Sequence, residues 1–294
     1  METDVDVQFD ESDAKLTEQV LSSFANTPDP RLRALMQSLV RHLHAFVRET
    51  QPTEAEWMAG IRFLTQTGQM CDELVRQEFI LLSDTLGVSM LVDAINHRYS
   101  TGATDTTVFG PFYIRDMPVR AFGENMAFTP GTPAVVHGRV LTTDGTPVCG
   151  AVLDVWQTAE NGMYSGQDTA QPHGNLRGRY QTDADGRYAI TTILPVSYPI
   201  PTDGPVGRML DATGRHPWRP AHLHFMIDAP AHRTLVTHLF DEDDEYLQSD
   251  AVFGVKPSLM VAYRGRPARD DLARQFGIAG AYREATYDFV LDWS

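Results

Sequence analysis

Cysteine is scarce in this chain, and the two residues that occur, Cys71 and Cys149, share no short spacing. This excludes a disulfide framework and a zinc site of the CxxC type. We interpret both residues as reduced, buried thiols, which suits a reducing compartment. We therefore expect a cytoplasmic protein.

Long apolar runs and an excess of positive charge are also missing. The longest apolar stretch, residues 79–95, is interrupted by Ser83-Asp84-Thr85, so it is too short and too polar to cross a bilayer. The N-terminal METDVDVQFDESD is acidic and has no apolar core, so we expect no signal peptide. The formal net charge of −15 repels nucleic acid and anionic membranes, and we expect neither as a partner.

What remains is ordinary globular composition. The chain has 294 residues, of which 42% are hydrophobic and 21% are charged. A chain of this length can bury a sizeable core without covalent cross-links.

The first hundred residues or so have the periodicity of helices. Apolar residues recur at steps of three and four from Arg31 to Arg48, after Pro30, which predicts a helix with one buried stripe. Thr53 and Glu56 form a capping-box pattern at the start of a second helix. Because a short bundle leaves some of these stripes uncovered, we expect a homodimer through the helical part. Two further helical runs are predicted, at about Cys71–Leu82 and Val88–His97.

After about Gly102 the apolar period becomes two, which is typical of strands. Asp144-Gly145 and Asp185-Gly186 are turn signals that predict hairpins. The fold class is therefore predicted to be α+β, with a helical N-terminal dimerisation portion, residues 1–105, and a C-terminal antiparallel β-sandwich catalytic domain, residues 106–294. The predicted strands are Val135–Leu141, Ala151–Trp156, Arg179–Thr182, Tyr188–Ile193, Ala221–Ile227, Leu235–Phe240, Ser258–Ala262 and Tyr287–Leu291.

The most informative segment is Arg219-Pro220-Ala221-His222-Leu223-His224-Phe225. On a strand, residues two apart point to the same face, so His222 and His224 present their imidazoles side by side. Such a pair is suited to bind one metal ion, although it could equally be a polar pair on an exposed face. There is no HExxH motif, no cysteine cluster and no carboxylate clearly placed for a two-histidine, one-carboxylate site.

His42 and His44 have the same spacing but lie on a predicted helix. Two helical steps turn the chain by about 200°, so these two rings diverge and cannot share an ion. We therefore expect them to be surface or core-edge residues.

Two tyrosines lie in loops beside predicted strands. Tyr164 is in Asn161-Gly162-Met163-Tyr164-Ser165-Gly166, and Tyr198 is in the proline-stiffened Pro195-Val196-Ser197-Tyr198-Pro199. A phenolate is a hard anionic donor that suits a hard trivalent ion such as Fe(III). The local pattern alone leaves open whether each tyrosine is a metal ligand or a packing anchor.

The chain resembles the intradiol ring-cleaving dioxygenases over nearly its whole length. The ordered set of two tyrosines followed by Arg-x-x-His-x-His is far more specific than any of its parts. The resemblance is carried by Thr107-Val108-Phe109-Gly110-Pro111-Phe112, Asp154-Val155-Trp156-Gln157-Thr158 with Tyr164, Tyr198-Pro199-Ile200-Pro201, and Arg219 to Phe225.

This resemblance implies one non-haem Fe(III) per subunit and no nicotinamide or flavin. It implies that Tyr164 and His222 are equatorial ligands, and that Tyr198 and His224 are axial ligands beside a solvent hydroxide. Tyr198 and Arg219 are the implied catalytic residues, the first accepting a substrate proton and the second stabilising negative charge. The implied partners are a small aromatic diol or triol and O2, and the family can also carry phospholipid between its N-terminal helices.

Within the family, the chain is most similar to the hydroxyquinol 1,2-dioxygenases, since Phe109 stands where catechol enzymes more often have leucine. The implied reaction opens hydroxyquinol (1,2,4-trihydroxybenzene) to 3-hydroxy-cis,cis-muconate, which tautomerises to maleylacetate. Asp84 is either the acceptor for the third hydroxyl or a helix cap, and His238 stands where catechol enzymes commonly have glutamine. The expected substrate-binding residues are Leu81, Asp84, Val108, Phe109, Gly110, Pro111, Phe112, Ile200, Pro201, Arg219, His238 and Val252.

Three alternatives remain open. The first is a catechol or chlorocatechol 1,2-dioxygenase, and the second is an extradiol enzyme that uses Fe(II) with two histidines and a carboxylate. The third is a β-sandwich binding or carrier module without chemistry.

Overall fold

The structure is a computed structural model of the chain, and it describes residues 11–72 and 76–294. The first ten residues, where no signal peptide is expected, lie outside the described part. The chain forms two compact units, which divide between Thr65 and Gln66. Among the described residues, no helix is both long enough and apolar enough to span a membrane. The prediction that both cysteines are buried is wrong, because Cys71 is half-buried and Cys149 is exposed.

The first unit contains α1 (Glu11–Ser23), α2 (Pro30–Thr50) and most of α3 (Glu54–Gln69). α2 begins where predicted, because the Asp29 side chain accepts a hydrogen bond from the amide of Arg31. The capping box is confirmed: the Glu56 carboxylate accepts from the amide of Thr53 at 2.8 Å, and the Thr53 hydroxyl accepts from the amide of Glu56 at 3.3 Å.

The apolar stripe of α2 is uncovered in the single chain. No residue of α2 is buried, and the stripe residues Leu35, Leu39 and Leu43 are all exposed. The helix and its apolar stripe form as predicted, but the predicted burial is wrong, because the described residues bury no residue of α2.

The predicted helix from Cys71 to Leu82 is wrong at its start. Residues 71, 72, 76 and 77 are not helical, and α4 (Glu78–Thr85) begins only at Glu78, while residues 73–75 lie outside the described part. A tertiary contact decides this: the buried Glu78 carboxylate pairs with Arg76 at 2.7 Å and accepts from the amide of Val206 at 3.1 Å. Gly87, in the left-handed region with φ of 72°, separates α4 from α5 (Val88–Asn96), as expected.

The rest of the second unit is built mainly from strands around α6 (Pro205–Ala212) and α7 (Asp271–Gln275). Ser258 and Leu259, predicted as strand, belong to a short 3-10 helix instead. The strands are β1 (Pro133–Thr142), β2 (Val152–Trp156), β3 (Arg177–Gln181), β4 (Arg187–Ile193), β5 (Tyr198–Pro199), β6 (Trp218–Arg219), β7 (His222–Asp228), β8 (Leu235–Asp241), β9 (Met260–Val261), β10 (Arg264–Arg266), β11 (Tyr282–Thr286) and β12 (Phe289–Leu291).

The sheets are mixed, so the predicted purely antiparallel sandwich is wrong in that respect. One sheet has the order β10-β11-β1-β12 with β4 also on β1, and the other has the order β3-β2-β7-β8-β9. β1 pairs in parallel with β11 and with β12, and β8 pairs in parallel with β9. Long connections place these late strands beside earlier ones in the same direction, which a periodicity of two does not reveal.

The two predicted hairpins are also wrong as strand pairs. β1 pairs with β4, and β2 pairs with β3, so each turn dipeptide connects strands of different sheets. The turns themselves form: the amide of Gly145 donates to the carbonyl of Thr142 at 2.9 Å, and that of Gly186 to Asp183 at 3.1 Å. A turn signal therefore fixed the local reversal but not the strand's partner.

The core lies between the two large sheets. Alternate residues of β7, namely Leu223, Phe225 and Ile227, are fully buried in it together with Leu153 and Val155 of β2. Their neighbours along β7 consequently point to the opposite face of the sheet.

Candidate metal centre

The His-x-His pair lies on β7 with both rings on the face away from the core, as the strand periodicity predicted. β7 is flanked by β2 and β8, and His224 is opposite Trp156 on one side and His238 on the other. Both His222 and His224 are 2% exposed. The exposed polar pair that the sequence left open is therefore excluded.

The two tyrosines meet this pair. The Tyr164 hydroxyl is 2.8 Å from Nε2 of His224 and 3.0 Å from the Tyr198 hydroxyl. Nε2 of His222 is 3.2 Å from Nε2 of His224. The structure thus brings together all four side chains that were predicted as ligands.

The loops that carry the tyrosines touch at a glycine. Gly162 has φ of 76°, and a Cβ there would lie 3.1 Å from Cβ of Tyr198. Tyr198 opens β5 and pairs with Arg219 of β6. Pro220 and Ala221 then interrupt the strand before β7, which gives the bend expected between Arg219 and the histidines.

The hydrogen bonds of His222 determine which of its ring nitrogens carries the proton. Its Nδ1 is 2.7 Å from the carbonyl of Pro220, which can only accept, so Nδ1 carries the proton. Nε2 therefore carries a lone pair, to which Arg219 donates a hydrogen bond at 3.3 Å. Burial and then the charge of Arg219 lower the pKa of His222 to about 3, so the ring is neutral at physiological pH.

The hydroxyl of Tyr164 would ionise only with a cation beside it. Burial, and then Tyr198, raise the pKa of Tyr164 well above its usual value of 10.0, so the phenolate needs a further positive charge to form. Lone pairs on imidazole and phenolate oxygens form a donor set that suits a hard transition-metal ion. The residues present therefore fit the iron that the resemblance implies.

Arg219 is held against the site by a residue that sequence reasoning missed. Asp250 accepts from Nε and Nη2 of Arg219 at 3.1 and 3.3 Å, and the amide of Gly254 donates to the same carboxylate at 2.8 Å. Burial opposes ionisation of Asp250, but Arg219 and these hydrogen bonds hold its pKa below 3.8. No local pattern marked Asp250, because it comes near Arg219 only in the fold.

A second buried arginine was also missed. Arg177 lies with its guanidinium 5.8 Å from the centre of the Tyr164 ring and donates to the Ser165 hydroxyl at 2.8 Å. Its Nη1 has no hydrogen-bond partner among the described residues. Burial lowers the pKa of Arg177 to about 10, which leaves it charged at neutral pH.

His238 lies behind His224. Its Nε2 is 2.6 Å from Nδ1 of His224, its Nδ1 is 2.9 Å from the Thr107 hydroxyl, and the side chain is completely buried. His222, His224 and His238 form a group whose candidate ligand atoms lie within 4.8 Å of one another. Thr107 belongs to a motif that carried the resemblance but was not itself predicted as a site residue.

Eight of the twelve expected substrate-binding residues line two cavities rather than one, and Arg219 and His238 are among the four that line neither. One cavity, of about 410 Å³, is lined by Leu81, Pro111, Phe112 and Pro201 among others. The other, of about 510 Å³, is lined by Asp84, Val108, Phe109 and Gly110 among others. Ile200 and Val252 are buried and line neither of these two cavities.

Asp84 is buried on the inner side of α4. It is 5% exposed, and burial raises its pKa, partly offset by a hydrogen bond with Ser89 and by Arg219. At the end of α4, the amide of Leu86 donates to the carbonyls of Leu82 and Asp84. The Asp84 carboxyl lines the second cavity, beside Ser89 of α5.

Aromatic rings pack around the cluster. Trp156 stacks on His224 with 4.6 Å between ring centres, and Phe112 stacks on Tyr164 at 4.7 Å. A Cβ on Gly110 would lie 3.2 Å from Cε1 of His224. The rings and the glycine loop keep bulk water from the centre.

Two family models together match nearly the whole chain. The family model described as "Dioxygenase" matches residues 108–293, and that described as "Catechol dioxygenase N terminus" matches residues 29–104. The chain therefore belongs to the intradiol dioxygenase family.

Individual relatives agree with this assignment. The hydroxyquinol 1,2-dioxygenase of Rhizobium sp. (strain MTP-10005) is 50% identical over 93% of each chain. The 6-chlorohydroxyquinol 1,2-dioxygenase of Cupriavidus pinatubonensis is 51% identical over 94% of this chain and 96% of the relative.

Solved structures show the same fold. The hydroxyquinol 1,2-dioxygenase of Pseudomonas putida DLL-E4 superposes with a TM-score of 0.92 at 65% identity, covering 96% of this chain and 99% of the other. The catechol 1,2-dioxygenase of Pseudomonas arvilla C-1 gives 0.82 at 29% identity, covering 96% and 92%.

Proposed function

We propose that this dioxygenase performs intradiol cleavage of hydroxyquinol with O2, yielding 3-hydroxy-cis,cis-muconate and, after tautomerisation, maleylacetate. One observation supports hydroxyquinol as the substrate. The chain is 65% identical to the hydroxyquinol enzyme of known structure but only 29% identical to the catechol enzyme. The same-class alternative, a catechol or chlorocatechol 1,2-dioxygenase, has the lower sequence identity to its solved structure.

We propose one Fe(III) per subunit, held by Tyr164, Tyr198, His222 and His224. In support, the two Nε2 atoms and the two hydroxyls lie next to one another, and the proton of His222 is committed to Pro220. His238 is a weaker candidate ligand, because its Nε2 faces Nδ1 of His224 at 2.6 Å. When bound, the iron would supply a Lewis acid and a template for two adjacent substrate oxygens.

The protein's own residues have three tasks in this proposal. Tyr198, whose oxygen accepts a hydrogen bond from Tyr164, would take up a substrate proton as the phenolate and become the neutral phenol. Arg219, charged and held by Asp250, stabilises negative charge that develops on the substrate. Val108 and Phe109, which line the same cavity as Asp84, orient the ring.

The third hydroxyl of hydroxyquinol is assigned to Asp84. The carboxyl is buried and lines a cavity with Val108 and Phe109, so it can accept a hydrogen bond where catechol offers no donor. A buried acceptor left without its donor is costly, which makes such a contact selective.

The exposed stripe of α2 supports a homodimer through the helical portion, with phospholipid as a further occupant of that apolar surface. The division at residue 105/106 and a cytoplasmic location remain predictions. Sedimentation showing only monomer at micromolar concentration would count against the dimer.

Two measurements test the function. The purified protein should be red, because tyrosinate bound to Fe(III) absorbs visible light, and the band should shift when hydroxyquinol is added without oxygen. The kcat/KM for hydroxyquinol should exceed that for catechol. A preference for catechol would reject the substrate, and a colourless protein without iron would favour a carrier.

A further inference from the structure

The contacts of His238 point away from the substrate. Its ring is completely buried, and both of its nitrogens face protein atoms at hydrogen-bond distance, Nε2 toward His224 and Nδ1 toward Thr107. A neutral imidazole has one donor and one acceptor nitrogen, so these two contacts exhaust its capacity. Neither nitrogen is left for a substrate hydroxyl.

Nδ1 of His224 and Nε2 of His238 can form a hydrogen bond only if one of these two nitrogens carries a proton and the other does not. If the proton belongs to His238, the proton of His224 must lie on its Nε2, which faces His222 at 3.2 Å and Tyr164 at 2.8 Å. A protonated Nε2 cannot bind a metal ion. If the proton belongs to His224, its Nε2 is a free lone pair, and His238 donates from Nδ1 to the Thr107 hydroxyl.

Thr107 is itself firmly placed. Its amide donates to the carbonyl of Val236 at 3.0 Å, and the neighbouring Thr106 hydroxyl donates to Asp93 at 2.8 Å. Thr107 begins the loop that continues into Val108, Phe109 and Gly110. The acceptor for His238 is therefore anchored by contacts that do not involve the metal centre.

We propose that His238 is a positioning residue: its Nε2 accepts a hydrogen bond from Nδ1–H of His224, and its Nδ1–H donates to Thr107. These two bonds fix the ring orientation and tautomer that His224 needs as an iron ligand. The inference rests on the proposed iron site. It assigns His238 a role in holding the metal instead of the substrate contact expected from the sequence. Partners of this kind on metal-binding histidines typically change metal affinity about 10–100-fold when they are removed.

The test compares iron release from the purified, iron-loaded enzyme into excess ferric chelator, without substrate, by the loss of the visible band. His238→Leu, which keeps bulk but has no acceptor, should release iron about 10–100 times faster. His238→Gln should behave like the parent protein, because its amide oxygen can accept the same hydrogen bond from Nδ1–H of His224. Thr107→Val should fall between them, with rescue by Thr107→Ser.

Thr106→Val is the matched control. It removes a buried threonine hydroxyl from the same loop, with a hydrogen bond of 2.8 Å against 2.9 Å for Thr107, but its partner is Asp93 and not a histidine. It should release iron at the parent rate. Equal release from Thr106→Val and Thr107→Val would show only general loosening of the loop and would overturn the proposal.

Two other outcomes also overturn it. One is unchanged iron release in His238→Leu. The other is a His238→Gln enzyme with normal iron release but a raised KM for hydroxyquinol, which is the signature of a substrate contact. If His238→Leu fails to fold, nitrogen NMR of the iron-free parent protein reads the His224 tautomer directly, and a proton on Nε2 of His224 contradicts the proposal. Failure to cleave hydroxyquinol would instead count against the proposed function, since iron release is measured without it.

Discussion

The chain contains two His-x-His pairs, and they have different surroundings. His222 and His224 lie on a strand with their Nε2 atoms 3.2 Å apart, and both are 2% exposed. On α2, His42 is exposed, while His44 is half-buried and contacts the Thr17 hydroxyl at 2.9 Å. The same spacing makes a candidate metal centre only where the period is two and the fold buries the result.

The largest expected effect concerns the buried ion pair of Arg219 and Asp250, which lies beside the two histidines of β7. Asp250→Ala leaves Arg219 as an uncompensated buried charge and should lower the free energy of unfolding by about 3–5 kcal/mol. The pKa of Asp250 is depressed on folding, so this stabilisation is present above pH 3.8 and is lost as the pH falls through the lower folded value. Urea unfolding at pH 7 and at pH 3 measures both.

The control is the exposed pair Asp185–Arg187, whose side chains are 61% and 51% exposed. Asp185→Ala should cost less than about 1 kcal/mol. Equal losses in the two variants would mean that burial of the Arg219 pair has no energetic consequence.

The second prediction separates the two histidine pairs directly. His224→Ala should weaken iron binding by at least about 100-fold, or about 3 kcal/mol, which is one ligand's share of a typical binding energy for a four-ligand structural metal site. His44→Ala should leave iron content and the visible band unchanged, since a helical pair cannot share an ion. Iron titration of both variants decides this, and loss of iron in His44→Ala would remove the distinction.

The third prediction concerns the acceptor at the edge of the centre. Asp84→Leu should reduce the preference for hydroxyquinol over catechol by about 1.5–3 kcal/mol, the value of a hydrogen bond to a charged group. Asp84→Asn keeps an acceptor and should lose less of the preference. The ratio of kcat/KM values for the two substrates is the measurement, and an unchanged ratio in Asp84→Leu would remove Asp84 from recognition.

The smallest expected effect tests the close contact between Gly110 and the His224 ring. Gly110→Ala and Gly277→Ala both place a side chain at positive φ, 74° and 68°, and each should cost about 1 kcal/mol of stability. Only the Cβ at Gly110 meets His224, whereas nothing lies within 4 Å of the one at Gly277. The visible band should therefore shift in Gly110→Ala alone, and a shift in both variants would point to general strain.

The sequence by itself determined the local structure and the chemical character of the site. Apolar spacing determined α2 and the buried face of β7, because side-chain direction follows from the helical or strand period alone. It also predicted the four converging side chains, through the ordered motif that resembles a known family. Backbone turns at Asp144-Gly145 and Asp185-Gly186 formed as the dipeptides required.

Only the tertiary structure decided which segments meet. It gave β1 partners in both directions, joined Asp250 to Arg219, and placed Thr107 and His238 in line behind His224. It also divided the expected substrate residues between two cavities. The physical reason is that these are contacts between residues far apart in the chain, whose geometry depends on how the two sheets and their connections pack, and no short window of sequence contains that information.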